Sequence, residues 1–197
     1  MAPIPSSLVA NVANLALERS DPMHVRVCAY SPEWVELYQK EALKIREILG
    51  AELVEIHHIG STAVVGLQAK PIIDIMPVVR QIARVDAFNL AFAAIGYECM
   101  GEFGIPGRRY FRKGGQQRTH HVHMFDVTNQ TEIERHLAVR DYLRAHPAVA
   151  AEYGALKSRL AEQFPYDIEA YCEGKDAFVK QMEQAALLWM SQQRGAR

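Results

Sequence analysis

The chain has 197 residues, 49% of them hydrophobic and 23% charged, with a formal net charge of −1. That length suits one domain, or one domain with a helical annex, and supplies enough apolar material for a core. The near-neutral balance excludes a global positive field that would recruit nucleic acid, and no run of about 18 apolar residues exists to span a bilayer.

The three cysteines, Cys28, Cys99 and Cys172, are odd in number and far apart. They point to small packed side chains in a reducing, cytoplasmic setting rather than a disulfide framework or a zinc–thiolate site. Residues 1–24 read as an N-terminal extension, helical or loose. The apolar stretch at 8–17 carries two asparagines and no preceding basic residues, so it is not read as a signal peptide.

From residue 25 the elements come in a clear order. Residues 25–29 alternate and predict a short strand. Ser31-Pro32 predicts a helix start, with an apolar stripe through Trp34, Leu37, Tyr38, Ala42, Ile45, Ile48 and Leu49, and a stop at Gly50. Strands are predicted at 54–59 and 71–79. Asp86 is expected to cap a helix striped by Phe88, Leu90, Ala91 and Ile95, ending at Gly96. Residues 108–113 and 119–127 flank Gly114-Gly115 and predict a β-hairpin. Thr131 with Glu134 fits a capping box, and Pro147 and Pro165 divide the C-terminal region into three helical runs reaching about residue 192. The order predicts a mixed α/β (α+β) fold in one domain over 25–192, with a sheet core at 25–130 and a C-terminal helical cap at 131–192.

The densest chemical signal is residues 57–75. A strand stops at Gly60-Ser61, where glycine lets the backbone approach a ligand and free amides favour an anion such as phosphate. Read locally, the same pair is also a common tight turn. Asp74 lies mid-strand among Ile72, Ile73, Ile75 and Met76, where a carboxylate must be paired, hydrogen-bonded or metal-bound. On the strand at 119–126, His121, His123 and Phe125 share one face. With Asp74 they would form a two-histidine, one-carboxylate set suited to Mn²⁺, Fe²⁺ or Zn²⁺. The plain reading is hydrogen-bonded strand histidines, and His57 and His58 are read that way. The hairpin offers Arg108, Tyr110 and Arg112 on one face, with Lys113 adjacent, for phosphates and a nucleobase. As a solvated charged edge it would need no ligand. Lys70 is a further phosphate contact, while Arg140 and Lys175 are expected on helices, as surface charges or at a nucleotide.

A wider pattern joins these residues. The stretches YSPEW at 30–34, HIGSTAVVGLQAKPIIDI at 58–75, EFGIPGRRYFRKG at 102–114, THHVHMF at 119–125 and RDYLRAHP at 140–147 resemble the GrpB family, also called UPF0157, within the nucleotidyltransferase superfamily. The resemblance covers about residues 25–185. It implies a nucleotidyltransferase-type mixed sheet packed by helices, a nucleoside triphosphate substrate, and a divalent metal (Mg, Mn or Zn). It gives Gly60, Ser61 and Thr62 of the GST motif the phosphate role, and Asp74 the first metal and catalytic role. The pattern asks for a second acid at 76, where this chain has Met76, a poor ligand for hard Mg²⁺.

Three functions are compatible: metal-dependent nucleotidyl transfer to a small molecule or protein, a non-catalytic module binding a nucleotide or phosphate ligand, and a His/Asp transition-metal site with hydrolytic activity. The expected partner is a nucleotide or small phosphorylated ligand, without nucleic acid or membrane. The sequence is also compatible with a homodimer.

Overall fold

The computed structural model describes residues 24–195, so the N-terminal reading of residues 1–23 lies outside the described residues. Helix α1 (Glu33–Leu49) begins after Ser31-Pro32, where Ser31 Oγ accepts the Glu33 amide at 3.3 Å, and ends at Gly50, whose φ of +51° suits a residue without Cβ. It buries Trp34, Ala42, Ile45 and Leu49, while Leu37 of the expected stripe faces solvent.

Five strands form one sheet: β1 (Leu53–Ile59), β2 (Ile73–Val79), β3 (Tyr97–Cys99), β4 (Arg108–Lys113) and β5 (His120–Asp126). Their order is β1-β2-β5-β4-β3, with β2 parallel to β5 and the other pairs antiparallel. Helix α2 (Asn89–Ala94) precedes β3, and α3 (Gln130–Ala145), α4 (Pro147–Gln163) and α5 (Ile168–Gly195) form the C-terminal cap, breaking around Pro147 and Pro165 as expected.

Strand alternation divides the sheet's residues into two sets. Ile73, Ile75 and Val79 of β2, Val122 and Met124 of β5, and Phe111 of β4 pack with α1 and with Phe92 of α2 in the main core. On the other face Met76, Val78 and Phe125 pack with Ile59 and with Ile133 of α3. Asp74, His121, His123, Arg108, Tyr110 and Arg112 belong to this second face, beside the C-terminal helices.

Some local expectations give way to tertiary contacts. Residues 25–29 make a single bridge, Cys28 to Ala69, because no neighbouring strand offers them a ladder. Asp86 lies inside a 3₁₀ turn (Ile82–Phe88) and binds Arg109 at 2.7 Å instead of capping a helix. Leu90 is 87% exposed, and Phe92 fills the core in its place. The cap of α3 is Asn129, whose Oδ1 accepts the Glu132 amide at 3.4 Å, so Thr131 falls inside the helix. Strand β3, three residues long, was not anticipated. Cys28 is partly buried, whereas Cys99 and Cys172 are exposed rather than packed. No helix among the described residues is long and apolar enough to cross a membrane.

Candidate functional site

Asp74 and His121 are direct partners across the parallel β2–β5 ladder, and His123 lies two residues along on the same face. His121 Nδ1 lies 3.3 Å and His123 Nε2 3.5 Å from the same oxygen, Asp74 Oδ1. One ligand atom from each residue falls within 4.8 Å of the others. Ligands tetrahedrally placed about 2.1 Å from a shared ion are about 3.4 Å apart, so the spacing fits a single cation. Two imidazoles and one carboxylate suit Mn²⁺, Fe²⁺ or Zn²⁺ better than Mg²⁺. Burial works to raise the Asp74 pKa, but the hydrogen bonds and charge of His121 and His123 outweigh it and hold the carboxyl well below its usual range.

Met76 is fully buried among Ile59, Val78, Phe125 and Ile133. A carboxylate there would be desolvated under α3 among apolar side chains, so the second acid that the sequence resemblance asks for at 76 has no place in this packing. His121 and His123 reach Asp74 from the neighbouring strand instead.

Gly60 turns the chain out of β1 with φ +69° and ψ −171°, a conformation nearly restricted to glycine. A Cβ there would lie 2.5 Å from Asp74 Oδ2, so the missing side chain also makes room for the carboxylate. Ser61 Oγ accepts a 2.8 Å hydrogen bond from Lys157 Nζ on α4.

These residues open onto a cavity of about 260 Å³ lined by Gly60, Ser61, Lys70, Asp74, His121, Tyr153, Lys157, Tyr171 and Lys175, among others. Among the described residues, no ion pair involves Lys70, Lys157 or Lys175. Their ammonium groups rest over tyrosine rings: Lys157 4.4 Å from the Tyr153 centroid, and Lys70 and Lys175 5.3 and 5.8 Å from that of Tyr171. Burial depresses the Lys70 pKa, and burial, reinforced by the charge of Lys175, takes Lys157 down to about 7. Three partly desolvated cations without a carboxylate partner fit an anion such as phosphate.

The depressed Lys157 pKa has a testable sign. Free protein loses that ammonium above about pH 7, so affinity for pyrophosphate should fall by up to about ten-fold per pH unit as pH rises from 7 toward 9. Calorimetric titrations across that range check it, and Lys157→Met should flatten the dependence.

The hairpin residues sort differently from the expectation that they meet phosphates and a nucleobase. Arg108 is buried and donates to Glu102 O at 3.2 Å and Phe103 O at 2.6 Å, with Nη1 3.4 Å from His123 Nδ1. A cation on His123 Nε2 would place the ring proton on Nδ1, leaving Arg108 to its two carbonyls. Arg112 is paired with Glu98 across the β3–β4 ladder at 2.8 Å. Tyr110 is buried beside both histidines. Lys113 is turned away from the site: alternation puts it on the opposite face, 2.7 Å from buried Glu41 of α1. Lys113→Ala should therefore leave phosphate binding unchanged, yet cost about 2–3 kcal/mol in denaturant unfolding by weakening the pairing of Glu41.

Thr62 is buried, donating to Ile72 O at 3.3 Å and meeting His58 Nε2 at 3.0 Å, so it fixes the turn rather than offering a free hydroxyl. His58 also stacks on Tyr38, and His57 pairs with Glu55, both in line with structural roles. Arg140 binds Asp141 and donates to His58 O instead of reaching the cavity, whereas Lys175 does line it. The sequence reading missed Lys157, Tyr153 and Tyr171. A signal existed for Lys157: Ala150, Tyr153, Gly154, Lys157, Leu160 and Ala161 are the buried stripe of α4, and a lysine within such a stripe is anomalous.

The fold is thus a five-stranded mixed sheet packed by helices, with a Gly-Ser turn leading out of one strand and an aspartate on the next. The family model described as GrpB protein matches residues 24–185, and the chain belongs to that family. It is 48% identical over 165 residues to the UPF0157 protein YqkA of Bacillus subtilis, covering 84% of this chain and 48% of that protein. The chain therefore spans about half the length of that relative. It is 34% identical to the glutamate-rich protein GrpB of Alkalihalophilus pseudofirmus, covering 80% of this chain and 93% of the relative. The crystal structure of conserved protein GrpB from Enterococcus faecalis is similar at 49% identity and a TM-score of 0.82, over 84% of this chain and 99% of that one.

Proposed function

We propose that this chain is a metal-dependent transferase that moves a nucleotidyl group from a nucleoside triphosphate to a small-molecule or protein acceptor. The observation that carries this reading is the convergence of Asp74, His121 and His123 at one edge of a cavity lined by three lysines that make no ion pair among the described residues. A divalent cation held by those three residues would supply Lewis-acid stabilisation of phosphoryl charge. Lys70, Lys157 and Lys175 receive the β- and γ-phosphates, and Ser61 and the backbone at Gly60 fix their position. An acceptor hydroxyl oxygen bonds to the α-phosphorus, the bond to the bridging oxygen breaks, and pyrophosphate leaves against the lysines while the hydroxyl proton passes to water.

The test is incubation of the purified protein with Mn²⁺ and each nucleoside triphosphate, following pyrophosphate release in the presence of candidate acceptors. Binding of no nucleotide under any metal condition would sink the proposal.

Burial of Met76 supports a second reading, in which a single carboxylate leaves the chain a binding module for nucleotides or phosphorylated ligands. That reading expects ligand affinity to survive EDTA and Asp74→Asn, with no pyrophosphate released.

A further inference from the structure

Beyond the cluster, against Tyr110 of β4, one aromatic residue sits in an unusual state. Phe103 is 54% exposed and has φ +44°, making it the non-glycine residue with positive φ among the described residues. A left-handed backbone is unfavourable for a side chain with Cβ, and such strain gathers where the surrounding structure imposes it for use. Here the imposition is visible. Gly101, Gly104 and Gly107 all have positive φ around it. Buried Arg108 clamps the carbonyls of Glu102 and Phe103, and Glu102 Oε1 accepts the Gly107 amide at 2.7 Å.

The clamp lays the Phe103 ring on Tyr110, with centroids 5.1 Å apart and planes within 16°. Tyr110 has Arg108 over its ring at 4.8 Å and His121 and His123 at its flanks. Tyr110 is therefore enclosed and cannot itself receive a base, contrary to the expectation from sequence. Phe103 keeps an outer face open to solvent. Sheet order places the parts in a row: the Gly60-Ser61 turn after β1, Asp74 on β2, the histidines on β5, then Tyr110 on β4 with Phe103 above it. His121 lines the phosphate cavity, and ring-to-ring steps of 5.5 and 5.1 Å lead from it to Phe103. A nucleotide held by its phosphates in the cavity would have to extend its nucleoside along these two steps to the open face of Phe103.

We propose that Phe103 is the stacking platform for the nucleobase of the nucleotide whose phosphates occupy the lysine cavity. The assignment rests on the nucleotide reading above and adds where the base goes. Stacking on one aromatic face is tolerant of base identity, because every base presents a π-face. The protein should accordingly discriminate weakly among the four bases and strongly between a nucleotide and bare polyphosphate.

Calorimetry with Mn²⁺ separates the outcomes. Titrants are ATP, GTP, CTP, UTP and inorganic tripolyphosphate, against the wild-type chain, Phe103→Ala, Phe103→Leu and Phe103→Tyr. The expected result is that wild type binds nucleotides about ten-fold or more tighter than tripolyphosphate. Ala and Leu should erase that margin without altering tripolyphosphate affinity, and Tyr should keep it. Leu retains apolar cover for Tyr110, so a merely structural role predicts Leu behaving as wild type, and that result overturns the proposal. Equal affinity of wild type for nucleotides and tripolyphosphate also overturns it. Binding of neither titrant by wild type is the distinct signature of failure of the nucleotidyl-transfer reading itself.

Discussion

Replacing His121 and His123 together by alanine is expected to lower affinity for Mn²⁺ or Zn²⁺ by at least about 100-fold and to abolish any metal-dependent turnover. Loss of a single group that merely orients a ligand costs roughly 10–100-fold in metal affinity, so removing two of three ligands must cost more. Both imidazoles approach the same Asp74 oxygen, at 3.3 and 3.5 Å, and a lone carboxylate does not retain such an ion. The fold should survive, since neither ring belongs to the apolar clusters that hold the sheet to its helices. Elemental analysis of metal-loaded protein reads the effect directly: near one equivalent in wild type, background in the double variant. Equal metal content in both would mean that these histidines do not hold the ion.

The second large effect is expected at Gly60. Gly60→Ala places a Cβ 2.5 Å from Asp74 Oδ2 and forces alanine into a backbone region at φ +69° that it rarely adopts. The conformation alone costs about 1–3 kcal/mol, and the contact adds to it. Denaturant unfolding should show a loss of about 2 kcal/mol or more, together with weakened metal binding as Asp74 is displaced. A double-mutant cycle separates the two causes. In an Asp74→Ala background the 2.5 Å oxygen contact is removed, leaving the conformational cost and the 3.2 Å approach to the Cβ of residue 74. An unchanged unfolding midpoint for Gly60→Ala would contradict both the turn geometry and its coupling to Asp74.

Much of this site was legible residue by residue, because strand alternation is a strict rule. Asp74 on one strand and His121 with His123 on another could be assigned to faces from period two alone, and only the strand order was needed to bring them together. The parallel β2–β5 pairing supplied it, and no local pattern encodes that pairing. Lys113 fell outside the site by the same rule, since it is one residue out of phase with Tyr110 and Arg112. The misplacements at Asp86 and Thr131 have another cause. Both residues can cap helices, but Asp86 found Arg109 and Asn129 took the cap of α3. Lys157 lay outside the reading because its role depends on α4 folding back over a turn 96 positions earlier in the chain. The Phe103 loop entered the sequence reading only as part of the family resemblance at 102–114, because its strain and exposure exist only once Arg108 is buried beneath it.

In the reading proposed for this chain, Asp74, His121 and His123 hold a divalent ion that works with the lysine cavity on one nucleotide. Calorimetric titration of wild-type protein with nucleoside triphosphates, in matched Mn²⁺ and EDTA buffers, tests it most directly. Binding is expected in Mn²⁺ and should be lost or strongly weakened in EDTA. Binding of equal strength in both buffers, or in neither, would contradict it.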